Sequence, residues 1–367
     1  MAAFQGQLNV NKIYGAIYNQ ILAQEVNSKN ISREYAKLLN MAKQEVGLFG
    51  DQKLFYETYS PKISKWKGDD EATELLSVKP YRVKSPECQA VTINVFQKVV
   101  LVLDKFLTKQ AWMNEGAFAT FNSVMLAWIN DVVDMYEMNT YNAFFGSEES
   151  SVGKQQRVID LTTAIGGKTG EEAEKLKAMA IAADEVKLFG ELADNTPDFI
   201  DYGPNGMIRG FNAEDFVVVT RLSLAAELTK MGTPDIYHND IFGKVTKLVL
   251  PDRWFSKLNT TEKKGDGKTI RSRIYQDLLG TDGKTYELKA GDLVPAVCTA
   301  PANTSVTEDA TILYKVVAKD SIPWLSAFEA AGSMYNIQSL TDKYVTVIGH
   351  NTLEHLSGRP IITVRSK

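Results

Sequence analysis

Cysteine is nearly absent from this 367-residue sequence: Cys88 and Cys298 are the only two, far apart, with no CxxC and no Cys/His spacing around either. That argues against a disulfide scaffold and against a zinc site. Histidine is almost as scarce, at His238, His350 and His355. The last two lie five apart in IGHNTLEHLSG, which is neither an HExxH helix nor another usual metal spacing, and no serine sits in a G-x-S-x-G elbow. The acid-rich stretches FGDQ, KGDDE and DYGPNG lack the EF-hand pattern. These gaps leave no catalytic set, no metal and no cofactor to expect.

Long apolar runs are missing as well. None approaches the ~18 residues of a spanning helix, and MAAFQGQLNVNKIYGAIYNQ has neither the basic start nor the continuous apolar core of a signal peptide. A chain without membrane contact that begins life in a reducing cytoplasm is expected. Excess positive charge is absent too: 41 basic against 45 acidic residues give a net charge of −4, with no basic cluster. A general electrostatic grip on nucleic acid needs such a cluster.

What is present is enough for a sizeable core, with 44% apolar and 10% aromatic residues. From Asn9 to about Gln44, two helical patterns follow each other, Ile13, Ile17 and Ile21, then Ile31, Tyr35, Leu38 and Leu39. Each can bury only one stripe and must lean on something else. Gly47 to Pro86 is punctuated by proline and charge and reads as an extended excursion or long hairpin. Asn114 to Phe145 carries the strongest local signal. Phe118, Phe121, Met125, Trp128, Ile129, Val132 and Tyr136 recur at three and four residues without proline, between Asn114 as N-cap and Gly146 as stop. Such a helix runs on the order of 45 Å, with Phe121, Trp128 and Tyr136 expected in the core.

Beyond it, RVIDLTTAI reads as a strand, Glu171 to about Leu192 as a helix burying Leu176, Met179, Ala180, Ala183, Val186 and Phe189, and FVVVTRL as a fully apolar strand. SLAAELTKMG is expected to be helical up to Gly232, and KVTKLVLPDRWF to be another strand. Alternating strand and helix argues an α/β unit. Asn259 to Asp309 holds Asp-Gly turns between short β-prone runs and reads as a β-rich insertion. TILYKVVAKDSIPW follows, then a helical LSAFEAAGSM and two closing strands, KYVTVIGH and RPIITVRSK. No repeat of fixed period is present.

AIGGKTGEE, Ala164 to Glu172, asks whether Lys168 and Thr169 belong to a phosphate cradle. A Walker A loop needs a glycine five residues ahead of Gly167, where Thr162 stands, and a carboxylate ending a neighbouring strand, where FVVVT runs on into Arg221. A structural turn between strand and helix is the simpler reading.

Two segments resemble a known family. TINVFQKVVLVLDKFLTKQAWMNEGAFATFNSVMLAWINDVVDMYEMNTYNAFFG is similar to the lead into the spine helix of major capsid proteins of short-tailed, phi29-like bacteriophages, and AKDSIPWLSAFEAAGSMYNIQSLTDKYVTVIGHNTLEHLSGRP resembles their closing segment. The resemblance implies the α+β Hong Kong 97-type capsid fold. Its parts would be an N-terminal arm over 1–50, an extended loop over 51–90, a peripheral domain over 91–167 with the spine helix at 114–145, and an axial domain over 168–249. The insertion would take 250–312 and a closing segment 313–367. Two features of the family are not matched: the immunoglobulin-like domain after the core, and a lysine–asparagine pair for covalent cross-linking.

The implied function is self-assembly into the icosahedral head of a tailed phage, through homo-oligomeric pentamers and hexamers, in the host bacterial cytoplasm. Scaffolding and portal proteins would be partners, and packaged double-stranded DNA would be touched only weakly. In the extended loop Trp66, Tyr81 and Arg82 are the expected interface anchors, because aromatic and arginine side chains dominate interfaces. Two alternatives stay open: an encapsulin-like compartment shell, and a nucleotide-binding α/β enzyme using Lys168 and Thr169.

Overall fold

The computed structural model describes residues 33–45, 50–57, 87–104, 115–150, 153–200, 210–230, 245–259, 286–288, 293–294, 298–299, 304–327, 330–339, 341–351 and 353–367. The most apolar runs become the inner strands of a five-stranded sheet. Its strands are β4 (Gln156–Ile159), β5 (Phe216–Arg221), β6 (Thr246–Leu250), β12 (Ile312–Ala318) and β16 (Ile361–Ser366), in the order β4-β16-β12-β5-β6. β12 lies antiparallel to both its neighbours, whereas the outer pairs β16–β4 and β5–β6 are parallel. Continuous apolar sequence follows from burial on both faces. Val217, Val219, Val317 and Ile361 belong to one core, and Phe216, Val218, Val316 and Ile362 to the other.

Helices cover the second of these faces: α4 (Glu171–Ala193) with Ile181, Leu188, Phe189 and Leu192, and α5 (Leu222–Lys230) with Leu224. Three glutamates in the first turn of α4 oppose the positive end of its dipole. Of the stripe expected from its apolar residues, Phe189 is buried and Leu176, Ala180 and Val186 are half-buried. Met179 and Ala183 are exposed, whereas Ala178, Ile181, Glu185 and Leu188 are buried. Asp184 and Glu191 hold the Arg157 guanidinium of β4 at 2.7 and 2.8 Å, contacts that periodicity of apolar residues does not register.

The second sheet runs β1 (Lys43–Glu45), β13 (Trp324–Ser326), β15 (Thr341–Asn351), β3 (Glu87–Asp104) and β2 (Gln52–Glu57), with β14 (Ala330–Asn336) also paired to β15. The 18-residue β3 joins two pairings: Glu87 to Thr92 match β2, and Ile93 to Asp104 match β15. β2 and β3 are the antiparallel base of the excursion expected after Gly47; its remainder, with Trp66, Tyr81 and Arg82, lies outside the described residues, as does the first of the two helical patterns expected from Asn9 to about Gln44, that of Ile13, Ile17 and Ile21.

Linking the sheets is α2 (Glu115–Ser147), 33 residues and about 50 Å long. Val133 and Tyr136 pack on Ile348 and Val99 of the second sheet, and Tyr141, Phe144 and Phe145 enter the core of the first. Beside that end sits the short α1 (Lys37–Ala42), which buries Leu38, Leu39 and Ala42. Gly146 does not terminate α2; it lies inside the last turn, where an added Cβ would stand 1.6 Å from the Trp254 carbonyl oxygen. It is glycine because two backbones meet there.

Three more segments depart from expectation. LSAFEAAGSM is not helical: Trp324–Ser326 and Ala330–Asn336 are β13 and β14, and all seven residues of β14 pair with β15. Cross-strand pairing outweighs the helix preference of its alanines. RVIDLTTAI is strand only up to Ile159; Asp160 then accepts a hydrogen bond from the Thr163 amide at 3.0 Å and starts α3 (Leu161–Ile165). KVTKLVLPDRWF is strand to Leu250, then a single 3-10 turn after Pro251. Within the insertion, β7 (Ser256–Asn259), β11 (Thr304–Glu308) and β8 (Tyr286–Leu288) form one sheet, and β9 (Leu293–Val294) pairs with β10 (Cys298–Thr299).

Candidate functional site

Lys168 and Thr169 stand in a turn between two helices, α3 and α4, rather than between strand and helix. Gly166, Gly167 and Gly170 all have positive φ, yet a Cβ at any of them meets nothing within 4 Å. These glycines serve backbone conformation and make no room for a phosphate. The Lys168 ammonium lies 3.0 Å from the Glu172 carboxylate, and Glu171 and Glu174 add negative charge at the helix start. Replacing Lys168 by alanine is therefore expected to change stability by less than about 0.5 kcal/mol and to alter no nucleotide response; loss of a nucleotide-induced shift in melting temperature would contradict this.

The strand end that a magnesium site would need as a carboxylate carries buried Arg221. Its guanidinium donates to the Asp309 carbonyl at 2.8 Å and meets the Glu308 carboxylate at 2.9 Å, pinning the base of the insertion to β5. His350 and His355 do not meet: His355 bonds the Arg359 carbonyl, and His350 sits in the core between α2 and β13. Among the described residues no group of three or more His, Cys, Asp or Glu side chains could hold a metal, and no helix is long and apolar enough to cross a membrane.

The concentrated chemistry lies where α2 joins the two sheets. Lys315, in the middle of β12, is fully buried, and its ammonium donates to the carbonyls of Phe145 at 3.2 Å, Gly146 at 2.5 Å and Glu148 at 2.8 Å. These are carbonyls that a helix end leaves without intrahelical partners, and a cation there also meets the negative end of the helix dipole. Burial lowers the Lys315 pKa to about 8 against the upward pull of the Glu149 and Glu148 carboxylates.

One sheet further along, the Tyr136 hydroxyl lies 2.7 Å from His350 Nε2. His350 Nδ1 lies 2.8 Å from the Asn351 carbonyl, which can only accept, so Nδ1 carries the proton and Nε2 accepts from the tyrosine. Trp324 stacks on the imidazole at 4.4 Å, and Tyr141 meets Trp324 edge-on while donating to the Ile322 carbonyl at 3.0 Å. Burial holds the His350 pKa down at about 4. A third link is Lys43 of β1, 2.9 Å from the buried carboxylate of Glu137. Together they lock one long helix against two sheets through groups that leave no open reaction centre.

No family sequence profile matches the chain, and no curated protein does. In three dimensions it is similar to a chain of the capsid structure of Staphylococcus phage Andhra, at 11% identity and a TM-score of 0.58, over 89% of this chain and 83% of that one. It is also similar to a chain in the structure of head fiber and inner core protein gp22 of native bacteriophage P68, at 13% identity and a TM-score of 0.54, with the same coverage of 89% and 83%. The chain has the Hong Kong 97-type phage capsid fold.

The notable surface of this fold is the outer side of β3, β15 and β14. Odd-numbered β3 residues such as Val99 turn toward α2, so Lys98, Val100 and Val102 turn away from it. Register puts Val345 beside Val100 and Gly332, and Lys343 beside Val102 and Met334. Val100, Val102 and Met334 are 42%, 55% and 64% exposed. The lone lysine in ILYKVVA was a readable sign of the joint, and the unbroken VVLVLD of this surface; neither could be interpreted without the pairing partners.

Proposed function

We propose that this chain is the major capsid protein of a tailed bacteriophage, a non-enzymatic subunit that assembles as pentamers and hexamers into the icosahedral head around the genome. One observation carries the reading: the likeness to a chain of the Andhra capsid structure spans 89% of this chain and 83% of that one. A joint built of buried polar locks suits a subunit that holds shape and turns over nothing. The finer assignment to short-tailed, phi29-like phages rests on the two sequence segments quoted above.

On this reading 1–50 is the arm, 51–90 the extended loop, 91–167 the peripheral domain and 168–249 the axial domain, with 250–312 inserted and 313–367 closing both. Trp66, Tyr81 and Arg82 anchor the loop on a neighbouring subunit. Scaffolding and portal proteins act in assembly in the host bacterial cytoplasm, and a net charge of −4 keeps contact with packaged DNA weak. Expression of the chain with and without a phage scaffolding protein, followed by negative-stain electron microscopy, is expected to yield closed shells or capsomer rings. A compact monomer under every condition would overturn the proposal.

A further inference from the structure

We infer that the outer face of the β3–β15–β14 ribbon is a contact surface for a second copy of this chain, and that it seats on the outward stripe of that copy's α2. The inference rests on the shell reading for its occupant and on three observations for its geometry.

The first is an exposed apolar face of unusual form. Val100 and Val345 are cross-strand neighbours, and Val102 and Met334 flank Lys343 in the next row, all on one side of three adjoining strands; exposed apolar surface of this kind marks an interaction site. β14 is moreover an edge strand, exposed along its whole length.

The second is that this chain's own α2 cannot cover it. The helix already occupies the opposite side of the same strands through Val133 and Tyr136. Asp131 and Met138 lie about half a turn round the helix from those two residues, so the outward stripe of α2 and the outer face of the ribbon point in opposite directions. Contact between these two surfaces therefore needs a second molecule.

The third is complementarity. The ribbon face carries Lys98 and Lys343, neither paired with an acid among the described residues, on either side of its valines. The outward stripe of α2 carries Ala127, Asp131 and Met135, with Asp134 beside them bound to Arg33 at 2.5 Å; Met135 is 44% exposed. Apolar surface carrying two ammonium groups thus meets apolar surface carrying the Asp131 carboxylate, which selects one orientation and disfavours ribbon-on-ribbon contact. Because the two surfaces differ, the contact is head-to-tail, and it repeats from copy to copy until it closes a ring.

The test uses the full chain with Cys88→Ser and Cys298→Ser, to which Val102→Cys and Met135→Cys are added. Mild oxidation with copper phenanthroline should give a ladder of disulfide-linked oligomers on a non-reducing gel, and neither single cysteine should give it. In parallel, Lys343→Glu should cut the assembled fraction by about tenfold, and Asp131→Lys in the same chain should restore most of it. Closed shells without the ladder, formed equally well by Lys343→Glu, overturn this contact and leave the shell reading standing. A ladder in open strings that never close supports the contact and overturns the shell reading. No ladder and no assembly in any condition sink both.

Discussion

Lys315→Met is expected to destabilise the folded subunit by about 3 kcal/mol, the range found when one partner of a buried charged network is removed. Methionine keeps the straight chain and most of its volume, so the loss isolates hydrogen bonding and charge from cavity formation. The Gly146 and Glu148 carbonyls lose this donor, while the Phe145 carbonyl, which also takes the Glu148 amide at 3.3 Å, keeps a partner. Each buried acceptor left without one costs about 1–3 kcal/mol, and loss of a cation at a helix C-terminus adds up to about 2 kcal/mol. Against this stands the relief of no longer burying an ammonium group, which offsets part of the sum.

The pH dependence has a definite sign. With the folded pKa near 8 and the unfolded value at 10.5, the unfolded chain binds more protons between those values. Wild-type stability should therefore rise with pH across that window, and the gap to Lys315→Met should widen. Urea unfolding followed by tryptophan fluorescence reads both effects. A midpoint unchanged by the substitution would show that α2 is held by its apolar contacts alone.

Acid should weaken the subunit through His350. Its folded pKa of about 4 lies below the usual 6.5 because the ring is buried, so the folded state binds fewer protons between those values. The stability it contributes is complete above pH 6.5 and declines as pH falls toward 4, by about 1.4 kcal/mol per pH unit and about 3 kcal/mol in total. A protonated ring has a donor at both nitrogens, and the Tyr136 hydroxyl then loses the acceptor it reaches at 2.7 Å. His350→Phe keeps an aromatic plane against Trp324 and removes the titration. It should cost about 2 kcal/mol at pH 7, from the hydroxyl and carbonyl left unpaired, yet flatten the acid limb between pH 6.5 and 4. An acid limb as steep in the variant as in wild type would assign it to other groups.

Where residues repeat strongly along the chain, local reading succeeded, and the reasons differ from element to element. FVVVTR and ILYKVVA are apolar on both sides because both sides are covered, and a run of that kind announces a central strand whatever its partners. α2 could be read because some thirty residues without proline carry one period, and nothing but a long helix satisfies them. The joint was harder. Lys315 interrupts an apolar run, a sign that something polar faces it, but its partners are carbonyls about 170 residues away in sequence, and backbone acceptors leave no mark in composition. His350 is similar: its ring is fixed by Tyr136, 214 residues earlier.

Failures trace to the same cause. For α4 the sequence reading buries Phe189 rightly but also Met179 and Ala183, because the packing of Ile181, Leu188 and Leu192 on the sheet is not local information, and β14 reads as a helix because its partner strand is not in view. At Lys168 and Thr169 the missing glycine at position 162, where Thr162 stands, is local information; that the turn joins two helices is not.

By itself, then, the sequence determined where the deepest strands and the longest helix lie, and that no cluster of reactive side chains is encoded in close spacing. Tertiary structure alone decided which face of each element is covered, how Lys315 and His350 come to lock α2 against two sheets, and that the valines of β3 end up toward solvent. The physical reason is that burial and pairing are relations between distant segments: a valine carries the same side chain whether a helix covers it, a neighbouring subunit does, or water does, and only the fold says which.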